Sequence, residues 1–380
     1  MCRLGLMLFY GMVLFAGRVE TQTKAADAPP AKSAESAIDF EKARILFQKR
    51  QKGEKLSEAD EKYLQRAMEA RRNQQGGRPA GNLTPRESTG IKPLTEMSAD
   101  ERYQGEDGGL DGGGQNAPPV SHQHAAEKEL AAIQPLDTEG RLAVDGRIVF
   151  VSISMSNATQ EFSQFKRLAD EDPAKSDRLT IVDCAQGGQA MAEWAAPDAR
   201  PWAVAEERLQ QARVSPKQVQ VAWIKLANKG PRGDLNEHGK TLQSNTLAVI
   251  QNAKARFPNL RIAYLSSRIY GGHAINQLNP EPFAYESAFP VRWLIRDQIA
   301  EDKALNFNAN NGAVKAPLLL WGPYLWADGT TPRKSDKLTY VRDDFAADGT
   351  HPSEMGRDKV ARVMLHFFKT DSLAKPWFVQ

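Results

Sequence analysis

The sequence has 380 residues, enough for two domains by the usual rule of roughly 150 residues each. Its formal net charge is +3, but residues 41–72 alone hold ten Lys and Arg against six Asp and Glu, which leaves the rest of the chain near −1. A nearly neutral main domain argues against nucleic-acid binding, which requires a basic face.

The first segment of the chain has the pattern of a secretory signal. Arg3 is followed by 14 uncharged residues, 4–17, whereas a membrane span needs about 20 apolar residues. We therefore expect residues 1–24 to contain a signal peptide and the start of a tether, which continues over residues 25–36. This predicts a secreted or periplasmic protein with no stable membrane span once the signal is removed.

The cysteine content excludes an internal disulfide in the exported chain. Cys2 lies before the apolar run and would leave with the signal, so Cys184 would be the single cysteine left. We interpret Cys184 as a thiol of the hydrophobic core.

Residues 37–72 are predicted to form a small basic helical hairpin. Apolar side chains recur at helical spacing on both sides of Lys52-Gly53, which interrupts the pattern. Ser57 and Asp60 resemble a capping box at the start of the second helix. A solvated helix face is the favoured explanation of the positive charge, and an acidic partner or polymer is the alternative.

Residues 73–139 form a Gly/Pro-rich lead-in without sustained periodicity. The glycine-dense run 105–114 matches neither a phosphate loop nor a dinucleotide fingerprint. Asp107 and Asp111 within it lack the spacing of an EF-hand. No metal ion or other cofactor is predicted.

Residues 140–380 alternate between short apolar runs and longer segments. Crossover helices fit between the runs, for example over residues 204–213 and 242–256, and a helix is predicted from Glu354 to Phe368. The alternation predicts an α/β fold with a parallel sheet covered on both faces, and ligands then bind outside the carboxyl ends of the strands. The predicted strands are Arg147 to Ile153, Leu179 to Asp183, Val219 to Ile224, Leu260 to Leu265 and Pro317 to Trp321.

Chemically useful groups follow several of these strands. Attack on a carbonyl needs a hydroxyl nucleophile, a base, and donors for the oxyanion. A strand-end Ser more often caps a helix, and Gly and Asn more often form turns, so the order of the groups is what points to catalysis. In chain order they are Ser154 and Ser156, Gly187 and Gly188, Asn228, and Asp348 with His351.

Asp348 and His351 lie three residues apart across a glycine-containing turn, just before the predicted last helix. At this spacing the carboxylate can hold the imidazole in one tautomer while the other ring nitrogen faces a cleft. A structural histidine beside a turn-capping aspartate is the alternative.

The four groups in this order resemble the SGNH, or GDSL-type, hydrolase superfamily over roughly residues 145–370. The last block, DGTHPSEMG, is the most specific, and the third is reduced to Ala227-Asn228-Lys229. In the first block Ser154-Met155 replaces the usual Gly-Asp. The resemblance implies that Ser156 is the nucleophile, with Ser154 as the alternative, and that His351 and Asp348 complete a triad.

The resemblance further implies that Gly188, with Gly187 in reserve, and Asn228 hold the oxyanion during hydrolysis of an ester bond. The expected fold of residues 140–380 is a three-layer α/β/α sandwich with a five-stranded parallel sheet in the flavodoxin-like order 2-1-3-4-5. The helical hairpin of residues 37–72 precedes it.

The expected substrate is an O-acylated carbohydrate or another small ester. Arg268 and Tyr270 after the fourth strand, and Glu286 further on, are predicted to lie at a cleft rim where they would suit a sugar. One rival is a glycan-binding protein of the same fold that has lost turnover. A flavin or nucleotide module is disfavoured because no phosphate-cradling loop follows the first strand.

The last aromatic residues of the chain, in the run Pro376-Trp377-Phe378, are expected to form a cap on the surface.

Overall fold

The computed structural model describes residues 56–75 and 83–380, together with five residues near the start of the chain, Asp39, Lys42, Ala43, Ile45 and Leu46. The chain divides into two compact units, residues 1–75 and 76–380. The predicted signal peptide, the tether and most of the first hairpin helix lie outside the described residues.

The first unit contains helix α1, Glu58–Gln75, which corresponds to the second helix of the predicted hairpin. The N–H of Asp60 donates to the Ser57 hydroxyl, which donates in turn to the Asp60 carboxylate at 2.7 Å. This pair caps the helix as the sequence indicated. Leu64 and Ala67 of α1 are buried and form a small apolar cluster with the two earlier residues Ala43 and Leu46.

The second unit is built on five parallel strands. They are β1 Ile148–Ile153, β2 Leu179–Asp183, β3 Val219–Lys225, β4 Ile262–Ser266 and β5 Leu318–Trp321. The strand order is β2-β1-β3-β4-β5, and every neighbouring pair is parallel. The predicted fold class and strand order are therefore confirmed.

Helices cover both faces of this sheet. They are α2 Val120–Ala131, α3 Ser156–Asp170, α4 Met191–Trp194, α5 Arg200–Gln211, α6 Leu235–Arg256, α7 Phe283–Glu286, α8 Ala288–Ile299, α9 Glu354–Thr370 and α10 Lys375–Phe378. Among the helices of the described residues, none combines the length and apolar character that a membrane span requires.

Successive residues of each strand point to opposite faces, so the sheet separates two hydrophobic clusters. Ile148 and Phe150 of β1 pack on the face covered by α2, α3, α9 and α10. Val149, Val151 and Ile153 pack on the other face, which is covered by α4, α5, α6 and α8. Because both faces are buried, polar groups of the strands are left at the two strand ends. Cys184 is fully buried in the second cluster, as predicted.

Aromatic rings fill the first cluster. The ring centroid of Phe150 lies 5.2 Å from that of Phe162 on α3, 5.0 Å from Phe368 on α9 and 5.1 Å from Trp377 on α10. Trp377 is 3% exposed, so the expectation of an aromatic cap on the surface was wrong. The rings join α3, α9 and α10 because each presents an apolar stripe to the same strand.

The glycine-rich lead-in belongs to the same unit and is anchored by buried side chains. Arg292 of α8 is fully buried and donates to the carbonyls of Asp107 and Gly109 at 2.8 and 3.1 Å. The indole N–H of Trp321, at the end of β5, donates to the Leu110 carbonyl at 2.9 Å. These bonds fix the lead-in beside the carboxyl end of β5.

Replacement of Phe150 by alanine should destabilise the second unit by about 3–5 kcal/mol, because it leaves a cavity among rings from three helices. Urea unfolding followed by tryptophan fluorescence measures this loss. Val144→Ala is the matched control, since Val144 is 89% exposed and should change stability by less than about 0.5 kcal/mol. A loss of under about 1 kcal/mol for Phe150→Ala would contradict the packing described.

Candidate active site

Three loops meet where β1, β2 and β3 end, since these strands are adjacent and parallel. Ser156 is the first residue of α3 and follows β1 by three positions. Its backbone N–H, like the others in a first helical turn, has no partner within the helix. The strand therefore delivers both a hydroxyl and a backbone donor to this edge of the sheet.

The turn that carries Asp348 and His351 requires glycine at its second position. Gly349 has a φ of +65°, and a Cβ built there would lie 1.7 Å from the His273 carbonyl oxygen. The turn is closed by the N–H of Gly349 and the carbonyl of His351, which both bond to Ala346 at 2.9 and 2.8 Å. Backbone geometry therefore sets where His351 emerges.

The structure places Ser156 and His351, 195 positions apart in sequence, within hydrogen-bonding distance. The Ser156 Oγ lies 2.8 Å from the His351 Nε2, and the His351 Nδ1 lies 2.6 Å from a carboxylate oxygen of Asp348. An ionised carboxylate can only accept, so the ring proton sits on Nδ1 and Nε2 is left to accept the hydroxyl proton of Ser156. The His351 side chain is 26% exposed, so the site opens to solvent.

Asp348 is held in its ionised form. Burial on its own would raise the pKa of this carboxyl, but hydrogen bonds from the His351 ring and from the N–H groups of His351 and Thr350 outweigh it. The pKa of Asp348 is lowered to about 2 from an ordinary value of 3.8. The carboxylate is therefore available to orient the imidazole over the whole neutral range.

Asn157 fastens the two sides of the site together, a role that the sequence analysis missed. Its side chain is 2% exposed and donates from Nδ2 to the carbonyl of Thr350 at 2.9 Å. Thr350 precedes His351, so this bond ties the start of α3 to the histidine turn. Its position directly after Ser156 was the available signal, but its partner lies almost two hundred residues away.

Ser154, the alternative nucleophile of the sequence analysis, is fully buried. Its hydroxyl donates to the carbonyl of Lys225 at 2.5 Å, and its own carbonyl accepts the N–H of Gln186 at 2.9 Å. Ser154 therefore cross-links the ends of β1, β2 and β3. Only Ser156 of the two serines lies within hydrogen-bonding distance of His351.

Gly187 and Gly188 lie exposed in the loop after β2. A Cβ built at either would meet nothing within 4 Å, so the space in front of this loop is open. Gly188 alone of the two has a positive φ, +76°, which other residues rarely adopt. No hydrogen bond within the described residues uses the N–H of Gly188.

The amide of Asn228 is oriented by the start of α4. The N–H of Ala192 donates to the Asn228 Oδ1 at 3.2 Å, which identifies the atom facing α4 as oxygen and turns Nδ2 the other way. Neighbouring bonds fix the loop, since the N–H of Met191 donates to the carbonyl of Ala227 at 2.8 Å. Asn228 is partly exposed, so Nδ2 is available as a donor.

Arg268, Tyr270 and Glu286 do not lie at an exposed rim, which corrects the position expected for them. Their exposures are 3%, 0% and 3%, and each has a partner inside the protein. Arg268 donates to the Asn228 carbonyl at 2.9 Å, and the Tyr270 hydroxyl donates to the Arg86 carbonyl at 2.8 Å.

Glu286 belongs to a separate buried network. One of its carboxylate oxygens lies 2.6 Å from the His238 Nε2, and the other accepts the Tyr103 hydroxyl at 2.7 Å. All three expected substrate contacts thus have internal bonding partners, because the loops after β4 fold inward beneath the lead-in.

Within the described ranges, no group of three or more His, Cys, Asp and Glu side chains is arranged to hold a metal ion.

No family model matches this chain, and no curated protein matches it either. Among solved structures, it is similar to a proposed acylhydrolase of Bacteroides fragilis, with 13% identity, 66% of this chain and 97% of the other covered, and a TM-score of 0.30. A lipopolysaccharide acetyltransferase periplasmic domain of Salmonella ser. Paratyphi A has 14% identity, coverage of 65% and 95%, and a TM-score of 0.29.

This chain is also similar to a Bacillus subtilis protein, with 12% identity and a TM-score of 0.30. The match covers 60% of this chain and 58% of the Bacillus subtilis protein.

The lowered pKa of Asp348 predicts an acid-dependent contribution to stability. A carboxyl whose pKa falls from 3.8 to about 2 on folding contributes about 2 kcal/mol above pH 5, and about half of this is lost by pH 3. The difference in unfolding free energy between the parent and Asp348→Asn should therefore shrink as the pH falls. Urea unfolding at a series of pH values measures it, and a difference independent of pH would show that these contacts do not lower the pKa of Asp348.

Proposed function

We propose that this protein is a serine esterase of the SGNH type. The observation that supports this most strongly is the line of two hydrogen bonds, 2.8 and 2.6 Å long, that connects Ser156, His351 and Asp348. A hydroxyl that shares its proton with an imidazole, itself oriented by a carboxylate, is the arrangement that makes serine nucleophilic at neutral pH.

The first step is attack of the Ser156 Oγ on the ester carbonyl carbon. The hydroxyl proton passes to the Nε2 of His351 as the new C–O bond forms. The resulting imidazolium is stabilised by the carboxylate of Asp348, which stays ionised because of its low pKa. The imidazolium then returns the proton to the alcohol oxygen as the ester C–O bond breaks and the acyl group remains on Ser156.

The negative charge that develops on the carbonyl oxygen needs donors that are already in place. The backbone N–H of Ser156 at the start of α3, the N–H of Gly188 and the Nδ2 of Asn228 are the three that we assign. Their loops are held together by the bonds of Ser154 to Lys225 and Gln186. Donors fixed in this way need no reorganisation when the charge appears.

Water completes the cycle. His351, neutral again after the alcohol leaves, takes a proton from water as the water oxygen attacks the acyl carbon. The proton then returns to the Ser156 oxygen as the acyl–enzyme bond breaks, which releases a carboxylic acid. The partial exposure of His351 allows water to reach this position.

We propose an O-acylated carbohydrate as the substrate, in a secreted or periplasmic setting. Support comes from the open space at Gly187 and Gly188, where a bulky alcohol portion could be accommodated. The buried side chains of Arg268, Tyr270 and Glu286 give this substrate no direct support.

Ser156→Ala should lower kcat for a small chromogenic ester such as p-nitrophenyl acetate by a factor on the order of 10⁶, because no other hydroxyl of the described residues forms a hydrogen bond with the His351 ring. A fluorophosphonate should label the parent on Ser156 and leave the variant unlabelled, as read by mass spectrometry of the peptides.

The matched control is Ser163→Ala, which removes an exposed hydroxyl two turns further along α3. It should keep both hydrolysis and labelling. An adduct on Ser154, or a Ser156→Ala protein that still hydrolyses the ester, would show that Ser156 is not the nucleophile.

The carbohydrate assignment predicts release of acetate from acetylated polysaccharides and acetylated monosaccharides, in preference to hydrolysis of long-chain lipid esters. An enzymatic acetate assay on a panel of both classes measures this, with Ser156→Ala as the blank. Turnover of the lipid esters alone would refute the carbohydrate assignment and leave the esterase assignment intact.

A further inference from the structure

A cluster of charged side chains lies buried next to the elements that carry Ser156 and Asn228, two of the three proposed oxyanion donors. It consists of Glu161, Lys225 and Arg268, which are 0%, 0% and 3% exposed, and we refer to it as the buried charge cluster. None of the three is needed for the proton transfers of the proposed reaction. Ionised groups are costly to remove from water, so three of them in one place call for an explanation.

Glu161 and Lys225 form a direct ion pair. The ammonium nitrogen of Lys225 lies 2.7 and 2.5 Å from the two carboxylate oxygens of Glu161. Burial raises the pKa of Glu161 and lowers that of Lys225, while each is opposed by the other's charge. Whichever of the two holds the shared proton, the pair adds no net charge.

The pair also joins two parts of the candidate site. Glu161 lies on α3, five residues after Ser156, and Lys225 ends β3, three residues before Asn228. The Lys225 carbonyl accepts the hydroxyl of Ser154. A displacement of α3 relative to β3 would therefore separate a buried ion pair.

Arg268 is the third member, and no carboxylate of the described residues forms a direct ion pair with it. Its Nη1 donates to the backbone carbonyl of Asn228 at 2.9 Å, and its guanidinium carbon lies 5.6 Å from the ring centroid of Phe283. Its buried Nε has no hydrogen-bond partner in the part of the chain that the structure describes. Burial lowers its pKa to about 9, although the more distant carboxyls of Glu161 and Glu281 oppose the shift. Arg268 is therefore protonated at neutral pH, and the three side chains of the cluster together carry one net positive charge. Burial raises the pKa of the neighbouring Glu281 carboxyl to about 7, which reduces the negative charge that this carboxyl sets against Arg268.

The position of this charge is what connects it with catalysis. The guanidinium bonds to the same residue whose side-chain amide we assign as an oxyanion donor. It has no contact with the open face of the site, since it is buried beneath the Asn228 loop. In such surroundings a charge is screened far less than one at the surface.

We propose that Arg268 is a positioning residue for the oxyanion site: it holds the Asn228 loop, and the single net positive charge of the buried charge cluster stabilises the negative charge that develops during attack. This inference rests on the proposed function. Across about 10 Å, at an effective dielectric constant of about 20, a unit charge changes a rate by on the order of tenfold. Substrate binding is affected little, because the ester is neutral before attack.

Three substitutions separate charge from hydrogen bonding. Arg268→Met removes both, Arg268→Gln keeps a donor for the Asn228 carbonyl without charge, and Arg268→Lys keeps the charge. We expect the Met and Gln variants to lose about tenfold in kcat with KM unchanged within about twofold, and the Lys variant to lose less than about threefold. Steady-state kinetics on p-nitrophenyl acetate measures kcat and KM separately for each variant.

A second readout uses phenylboronic acid, which is neutral in solution and becomes a tetrahedral anion on the serine oxygen. Its inhibition constant should rise by about the same factor as kcat falls in the Met and Gln variants, since both depend on the same developing charge. A role in folding alone would lower the melting temperature without this parallel change.

Two further variants serve as controls. Arg232→Met removes an exposed cation four residues after Asn228, which water screens, so kcat should change by less than about twofold. Glu161→Gln combined with Lys225→Met removes the buried pair but keeps the net charge of the cluster, and its loss in kcat should be smaller than that of Arg268→Met. Circular dichroism of each variant reports whether it is folded.

The outcomes distinguish this inference from the function on which it rests. If the parent neither hydrolyses the ester nor is labelled on Ser156, the proposed function fails and the inference falls with it. If the parent is active and folded Arg268→Gln has the kcat and boronate affinity of the parent, only the inference is wrong. If Arg268→Met does not fold, the kcat values of Arg268→Gln and Arg268→Lys are compared, and equal values would show that the inference is wrong.

Discussion

The site depends on the hydrogen bond between Ser156 and His351, because it is the contact that connects the start of α3 to the turn before α9. Each of the two residues is also positioned by its own surroundings. Ser156 is fixed by the end of β1, and His351 by a turn in which Gly349 approaches the His273 carbonyl too closely for any side chain. Asn157 then ties the two together through the carbonyl of Thr350. The 2.8 Å distance is therefore the result of rigid surroundings on both sides.

Those surroundings are rigid because the sheet is buried on both faces. Phe150 of β1 contacts aromatic rings from α3, α9 and α10, so the two helices next to the site are packed on the strand that leads into it. A sheet of this kind can place polar groups only at its strand ends. The candidate nucleophile, the glycine loop and the asparagine accordingly follow the carboxyl ends of β1, β2 and β3. The hydrogen bonds of Ser154 to Lys225 and Gln186 link these three strand ends.

Much of this was predictable from the sequence, for reasons that differ between residues. The strands are short runs of β-branched and aliphatic residues between longer amphipathic segments, so local pattern sufficed for them. Asp348 and His351 are three residues apart, so their contact is local as well. Arg268, Tyr270 and Glu286 were misplaced because position after a strand does not tell whether a loop folds outward or inward. Their partners, such as Arg86 and Tyr103, come from a lead-in that has no periodic pattern.

The sequence pattern by itself determined the α/β class and the set of residues from which a site could be built, because these follow from periodicity and from chemistry at known positions along the chain. The strand order was expected from the resemblance to the SGNH superfamily. Only the tertiary structure decided which serine lies against His351, since Ser154 and Ser156 are two residues apart and their different directions depend on where β1 ends and α3 begins. It also revealed the buried charge cluster. Glu161, Lys225 and Arg268 belong to three separate elements, and nothing in the linear order indicates that their charged groups share one interior space.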